Sequence, residues 1–148
     1  MVPRDVTPGY RLEDGPPAVA DYLSLRERAG LTPKRQDQAE AALGGSWAAV
    51  HVVHEADGTT VGMGRVLGDG GWYFHVVDMA VLPEHQRRGL GDAILTALLE
   101  RIRREAPPGA FVNLIADPPG RKLYARHGFI PTAPDSISMA MPLDNERP

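Results

Sequence analysis

The sequence contains no cysteine. That absence excludes disulfide staples, zinc–thiolate sites and a cysteine nucleophile, and it suits a reducing cytosol. Long apolar runs are missing too: no stretch approaches the roughly 20 residues of a membrane span. The first ten residues, with Pro3, Arg4, Asp5 and Pro8, hold no apolar core of the kind a secretory signal needs, so a cytoplasmic location is expected. Lysine is represented by Lys34 and Lys122 alone, and the other basic residues are arginines. Beside abundant Ala, Gly and Pro, this usage fits coding from a GC-rich bacterial genome. The formal net charge is −3, which argues against a general electrostatic grip on nucleic acid or an anionic membrane. No internal repeat or low-complexity block appears.

What is present reads as one globular domain over residues 1–148, with loose tails at about 1–8 and 144–148. Tyr10–Leu12 suits a short first strand. Val19, Tyr22, Leu23 and Leu25 recur at helical spacing after Pro16–Pro17, and Gly30 should end that helix. Thr32-Pro33 signals a second helix, running to about Leu43. Trp47–Val53 and Thr59–Val66 read as strands joined by the Asp57-Gly58 turn. Trp72–Leu82 is nearly continuously apolar and is expected as a central strand buried on both faces. Gly89–Arg104 is the clearest helix, with Leu90, Ile94, Leu95, Leu98, Leu99 and Ile102 on one face. Phe111–Ala116, a short helix Arg121–His127 and a last strand Ile137–Met141 complete the chain. The order is β-α-α-β-β-β-α-β-α-β. It predicts an α/β mixed sheet, mostly antiparallel, with one parallel crossover and helices on both faces.

The chemistry concentrates where the long strand ends. Gln86-Arg87-Arg88-Gly89-Leu90-Gly91 closes a turn and opens a helix. Free N–H groups at a helix start favour an anion, and glycines allow close approach. Arg87 and Arg88 stand where the helix dipole disfavours them unless an anion answers. By itself a Gly-x-Gly after a strand also fits a plain loop with surface arginines. A P-loop would need Gly-x-x-x-x-Gly-Lys-Ser/Thr, which is absent, and a dinucleotide fingerprint belongs after a first strand, not mid-chain.

Three segments taken together carry a resemblance. Gln86-Arg87-Arg88-Gly89-Leu90-Gly91 resembles the Arg/Gln-x-x-Gly-x-Gly/Ala signature of the GNAT superfamily of N-acetyltransferases. Met79-Ala80-Val81-Leu82-Pro83 is similar to that family's pantetheine-binding strand. Leu123-Tyr124-Ala125-Arg126-His127-Gly128-Phe129 is similar to its leucine-tyrosine…glycine-phenylalanine segment. Order and separation match as well. The likeness covers about Trp72–Phe129; over Tyr10–Val66 it rests on element order.

The resemblance implies a GNAT-like acyl-CoA N-acyltransferase fold, with acetyl-CoA as donor and an amine as acceptor. It implies that the pantetheine arm pairs with the backbone around Met79, Ala80 and Val81. The pyrophosphate would rest on the N–H groups of Arg87, Arg88, Gly89, Leu90, Gly91 and Asp92. Arg87, Arg88 or Arg121 could reach the adenosine 3′-phosphate, though Arg121 reads equally well as a solvated helix charge. Tyr124 matches the family's tyrosine acid position. Many relatives carry Asn seven residues earlier; here that position is Asp117, which accepts hydrogen bonds but donates none.

Two residues compete as the base that deprotonates the amine. His75 lies eleven residues before Gln86, where the histone-acetylating branch of the family carries a glutamate, and an imidazole with an ordinary value of about 6.5 suits the task. Asp78 is the other, because an aspartate in so apolar a strand needs a partner or a function. Simple alternation puts the two on opposite faces unless a bulge intervenes. Glu84 and His85 read as solvated turn residues, and His51 and His54 lack metal-ligand spacing, so no metal is expected. A small-molecule amine is the favoured acceptor; a protein, peptide or aminoacyl acceptor, or a non-catalytic acyl-CoA-binding module, are the alternatives. A homodimer is suggested by the family alone.

Overall fold

The computed structural model describes residues 6–143, in two compact units that divide between Leu114 and Ile115. The expected loose tails fall largely outside the described residues.

The N-terminal unit is built on a sheet ordered β1-β2-β3-β4-β5: Tyr10–Asp14, Ala48–His54, Thr59–Gly68, Tyr73–Val81 and Phe111–Leu114. The first four strands run antiparallel to their neighbours, and β4 and β5 are parallel. That parallel pair follows from the covalent order, since a helix intervenes between them. Two helices, α1 (Val19–Arg28) and α2 (Gln36–Gly44), lie between β1 and β2 in sequence, and α3 (Leu90–Glu105) joins β4 to β5.

The two sheet faces are divided by strand alternation. A methyl group added to Gly62 or Gly64 would meet Ile94, so the even positions of β3 face α3. There α3 buries Leu90, Ile94, Leu95, Leu98, Leu99 and Ile102, the stripe legible in the sequence. Phe74, on the same face as Val66 and Gly68, is fully buried and meets the Trp47 ring edge-on at 4.8 Å. Burial of each such side chain contributes about 1.5–3 kcal/mol, so this layer is the main source of stability. The odd positions of β3 face α1, which buries Tyr22, Leu25 and Arg26 at helical spacing.

Three expectations need correction. The second helix begins at Gln36, not at Thr32-Pro33; Arg35 is its cap, and the carbonyl of Thr32 instead accepts a hydrogen bond from Arg26 Nε. Strand β4 is not buried on both faces. Phe74, Val76 and Ala80 are buried, but His75, Val77, Met79 and Val81 are half-exposed. It also lies next to the sheet edge, not at its centre.

The third correction concerns the C-terminal unit. It holds a short turn, Pro118–Gly120, and α4 (Arg121–Arg126), closed by Gly128 in the left-handed region at φ 97°. The expected last strand is not formed: Ile137 and Met139 are 71% and 88% exposed, with no strand over 130–143. Alternating apolar residues do not make a strand without a partner for the backbone, and Pro131, Pro134 and Pro142 remove donors from this stretch.

Candidate active site

Strand β4 carries an irregularity at the centre of the predicted site. Val77 pairs with Arg65 and Ala80 with Met63, so Asp78 and Met79 together oppose Gly64. This is a β-bulge, two residues against one. Asp78 takes φ 59°, a conformation unusual for a non-glycine residue. Gly64 makes the bulge possible: a Cβ there would stand 2.7 Å from both Ile94 Cγ2 and Met79 Sδ.

The bulge turns Asp78 toward α1, onto the same face as His75 and Val77. Its carboxylate accepts from Tyr22 Oη at 2.5 Å, Arg26 Nη1 at 2.5 Å and Arg65 Nε at 2.9 Å. Arg65 Nη1 also donates to the Ala42 carbonyl and to Ser46 Oγ, each at 3.0 Å, tying in the end of α2. Both guanidinium groups lie over the Tyr22 ring, at 5.9 and 5.8 Å from its centroid. The Asp78 side chain is only 5% exposed. Burial, and then the bond to this carboxylate, push the Tyr22 phenol above its usual range. Asp78 is thus a buried anion answered by two cations and a hydroxyl, with both oxygens engaged.

His75 has a different setting. Its register partner on β5 is Asn113, and His75 Nδ1 lies 2.7 Å from Asn113 Oδ1. The other end of that amide, Nδ2, donates to the Phe74 carbonyl at 3.2 Å. The ring is half-buried, and among the described residues it makes no other hydrogen bond. On the same two strands Tyr73 and Phe111 pack at 5.8 Å and stand exposed, making an apolar margin beside it.

The β4–β5 ladder ends at Val76 and Leu114. From Val77 to Val81 the strand has β3 as its strand neighbour and no other among the described residues, so one edge of the backbone is open to strand pairing alongside Met79, Ala80 and Val81. An open edge of this kind accepts an extended amide-bearing chain as an added strand.

That edge leads into the loop. Leu82 N–H donates to the Val61 carbonyl at 2.9 Å, a single helical turn follows over Pro83–His85, and Gln86 Nε2 donates back to the Val81 carbonyl at 3.0 Å. Arg87 and Gly89 both lie in the left-handed region, at φ 61° and 78°. Such turns expose backbone N–H groups on one concave side, and α3 has no side chain capping its first turn. Thr7 braces the loop through a hydrogen bond from its hydroxyl to the Arg88 carbonyl. Arg87 and Arg88 are exposed. Leu90 is 1% exposed, so its side chain belongs to the core. Gly91 and Asp92 are half-buried in the first turn.

His85 is not a solvated turn residue. Its Nδ1 is 2.7 Å from Tyr10 Oη, and its ring lies 4.8 Å from that of His54, anchoring the turn to β1 and β2. Glu84 is exposed and pairs with Arg28 at 3.4 Å. His51 Nδ1 contacts the Gly15 carbonyl at 2.9 Å, and no trio of metal-ligating side chains occurs among the described residues. A cavity of about 1090 Å³ lines the other flank of α3, touching Ala49, Thr96 and Arg101; it meets the loop at Gly89 and Asp92 but reaches neither His75 nor Met79.

In the C-terminal unit Tyr124 sits on α4, half-buried, with its ring 6.2 Å from that of Phe129. Gly120 makes room for it, since a Cβ there would stand 2.7 Å from Tyr124 Cε2. Burial raises the Tyr124 phenol above its usual value and the nearby Asp117 charge raises it further, so it keeps its proton at neutral pH. Arg121 Nε donates to the Ala116 carbonyl at 3.0 Å, which commits part of its guanidinium locally.

Sequence reasoning missed the partners more than the principals. Asn113 as the neighbour of His75, and Tyr22, Arg26 and Arg65 as the cage of Asp78, depend on register and bulge. The one available signal was Arg65 itself, a charged residue inside an apolar strand pattern.

A mixed sheet with an open strand edge running into an uncapped, glycine-bearing helix start is the build of an acyl-CoA-dependent transferase. Comparison with known proteins agrees. A family model described as an acetyltransferase (GNAT) domain matches residues 32–140. A protein of unknown function from meticillin-resistant Staphylococcus aureus, described as a probable acetyltransferase, is 36% identical; the match covers 90% of this chain and 99% of that one, with TM-score 0.85. A GNAT-family acetyltransferase from Streptococcus pneumoniae is 24% identical, with 93% and 99% coverage and TM-score 0.74. Glucosamine-6-phosphate N-acetyltransferase from Arabidopsis thaliana shares the fold at 16% identity, with 91% and 99% coverage and TM-score 0.65. No curated protein matches the sequence. The chain belongs to the GNAT family of acetyltransferases, which implies acetyl-CoA as its acyl donor. Among the described residues no helix is long and apolar enough to cross a membrane.

Proposed function

We propose that this chain transfers the acetyl group of acetyl-CoA to a primary amine of a small molecule, by direct attack with both substrates bound. The observation that carries this reading is the open edge of β4 at Val77–Val81, continuous with the loop whose Arg87 and Gly89 adopt left-handed backbone. An extended amide arm fits the edge, and a pyrophosphate fits the N–H groups of Arg87 to Asp92. A side chain at Gly89 would be strained at φ 78° and would intrude on that approach. Acetyl-CoA supplies an activated acyl group, whose C–S bond breaks as the C–N bond to the amine forms.

The chain's own residues handle protons and charge. A free alkylamine, with a lysine-like value of about 10.4, is mostly protonated at neutral pH and must lose that proton to attack. His75 is the base, because its Nε2 makes no bond within the described residues, while both oxygens of Asp78 are held by Tyr22, Arg26 and Arg65 and serve to hold the bulge. A backbone N–H on the open edge of β4 meets the negative charge that develops on the acyl oxygen. Tyr124, kept protonated by burial and by Asp117, gives its proton to the departing thiolate. The acidic balance of the chain argues against an aminoacyl-RNA acceptor, which calls for a basic patch. Two structural neighbours of low identity are also named for amino-sugar or aminoglycoside acetylation.

Calorimetric titration with acetyl-CoA, beside a Gly89→Glu variant, tests the donor site. One-site binding that the variant abolishes is expected. No binding by the native chain at millimolar donor would overturn the reading. Thiol release over a panel of amines, amino sugars and peptides then identifies the acceptor class; faster turnover on peptides than on every small amine would reject the small-molecule assignment.

A further inference from the structure

We infer that Asn113 is a positioning residue for catalysis: it fixes the tautomer and orientation of His75, so that Nδ1 carries the proton and Nε2 presents a lone pair to the acceptor amine. The inference rests on the proposed base role of His75, but its structural half stands on hydrogen-bond logic alone.

The logic runs through the Asn113 amide. The Phe74 carbonyl can only accept, so the end of the amide facing it at 3.2 Å must be the NH₂ group. The opposite end, 2.7 Å from His75 Nδ1, is therefore the oxygen, which also can only accept. Nδ1 must be the donor. In a neutral imidazole this leaves Nε2 as the unprotonated nitrogen. When Nε2 takes a proton, Nδ1 still donates to the same oxygen, so the bond survives both charge states and the ring need not turn during turnover. Asn113 can do this because β4 and β5 are parallel and in register here, Phe74 with Val112 and His75 with Asn113. The amide is itself locked by the backbone of the strand that carries the histidine.

The arrangement separates the two polar groups of β4 by function. Asp78 bonds to Tyr22, Arg26 and Arg65 and not to His75, so the orienting group comes from the neighbouring strand. An amide in this place gives the histidine a neutral partner, unlike the carboxylate that orients histidine in a Ser-His-Asp triad.

The first test needs no acceptor. In ¹⁵N-labelled native protein, at a pH where the ring is neutral, imidazole nitrogen shifts should place the His75 proton on Nδ1. Asn113→Leu should abolish that preference, and Asn113→Asp, which keeps an acceptor, should restore it. A native ring protonated on Nε2, or a Leu variant with the native tautomer, would overturn the inference. The second test is kinetic, with the amine from the panel that turns over fastest. Asn113→Leu should lower kcat by roughly 10²-fold with the KM for acetyl-CoA little changed, and Asn113→Asp should recover most of the loss. A Leu variant that stays folded by circular dichroism and retains native kcat would overturn the positioning role. Absence of turnover on every amine would reject the proposed function, while the tautomer result would still decide for or against Asn113.

Discussion

Asp78 and His75 lie three residues apart on one strand and, because of the bulge, on one face, yet they have opposite characters. Asp78 is buried with three donors on its two oxygens. His75 is half-buried, with one nitrogen bonded to Asn113. From the sequence the two were rival bases. A buried charge must be compensated to exist at all, and here Tyr22, Arg26 and Arg65 compensate it. The half-exposed imidazole is held at one nitrogen, and the other has no partner among the described residues. The contrast teaches that an ionisable residue in an apolar strand signals a partner at least as often as a reaction.

The sharpest way to break the comparison is to remove each side chain in turn. Asp78→Ala leaves Arg26 and Arg65 buried without their anion, and should cost about 3–5 kcal/mol in a urea unfolding titration. If stability falls by less than about 1 kcal/mol, the cage is not structural. His75→Ala should show the reverse: an unfolding midpoint near native, but kcat reduced by roughly 10²–10⁴-fold in thiol-release assays. A His75→Ala enzyme with native kcat would return the base role to another group or to water.

Gly64→Ala probes the bulge that brings the two residues onto one face. The added methyl group would press on Ile94, Met79 and Leu98, and overpacking of this kind costs about 1–3 kcal/mol. Calorimetric melting should register the loss, and acetyl-CoA binding should weaken as Met79 shifts. Native stability and affinity together would mean that the bulge tolerates a side chain and is not set by Gly64.

The smallest effect extends the comparison to Tyr124, whose value is raised first by burial and second by Asp117. Asp117→Asn removes the second cause, so the phenol should titrate at lower pH, though still above its usual range. Ultraviolet titration of tyrosinate, with Tyr124→Phe as the reference that removes this chromophore, reads the change. An upward shift would contradict the sign of the Asp117 contribution.

Most of the architecture was legible in the order of elements. The α3 stripe, the hairpin at Asp57-Gly58 and the parallel crossover each depend on local pattern or chain connectivity, and each formed near its expected bounds. The strand over Ile137–Met141 was misread because alternation says which face a strand would bury, not whether a neighbour supplies its hydrogen bonds. The start of α2 was misread because Thr32-Pro33 satisfies a local rule while the Thr32 carbonyl is taken by Arg26. His85 looked solvated because nothing in its neighbourhood along the chain announces Tyr10 and His54, which come from other strands.

The sequence by itself determined the class of this protein. The glycine-bearing segment Gln86–Gly91, the apolar strand before it and Leu123–Phe129 are contiguous stretches, and contiguous stretches keep their meaning without a fold. Tertiary structure decided how the polar residues divide their work. Whether His75 meets Asn113, and whether Asp78 meets Arg26, Arg65 and Tyr22, depends on strand register and on one extra residue in β4 opposite Gly64. Those are relations between segments far apart in the chain, fixed by packing and by the need to pair every buried polar group.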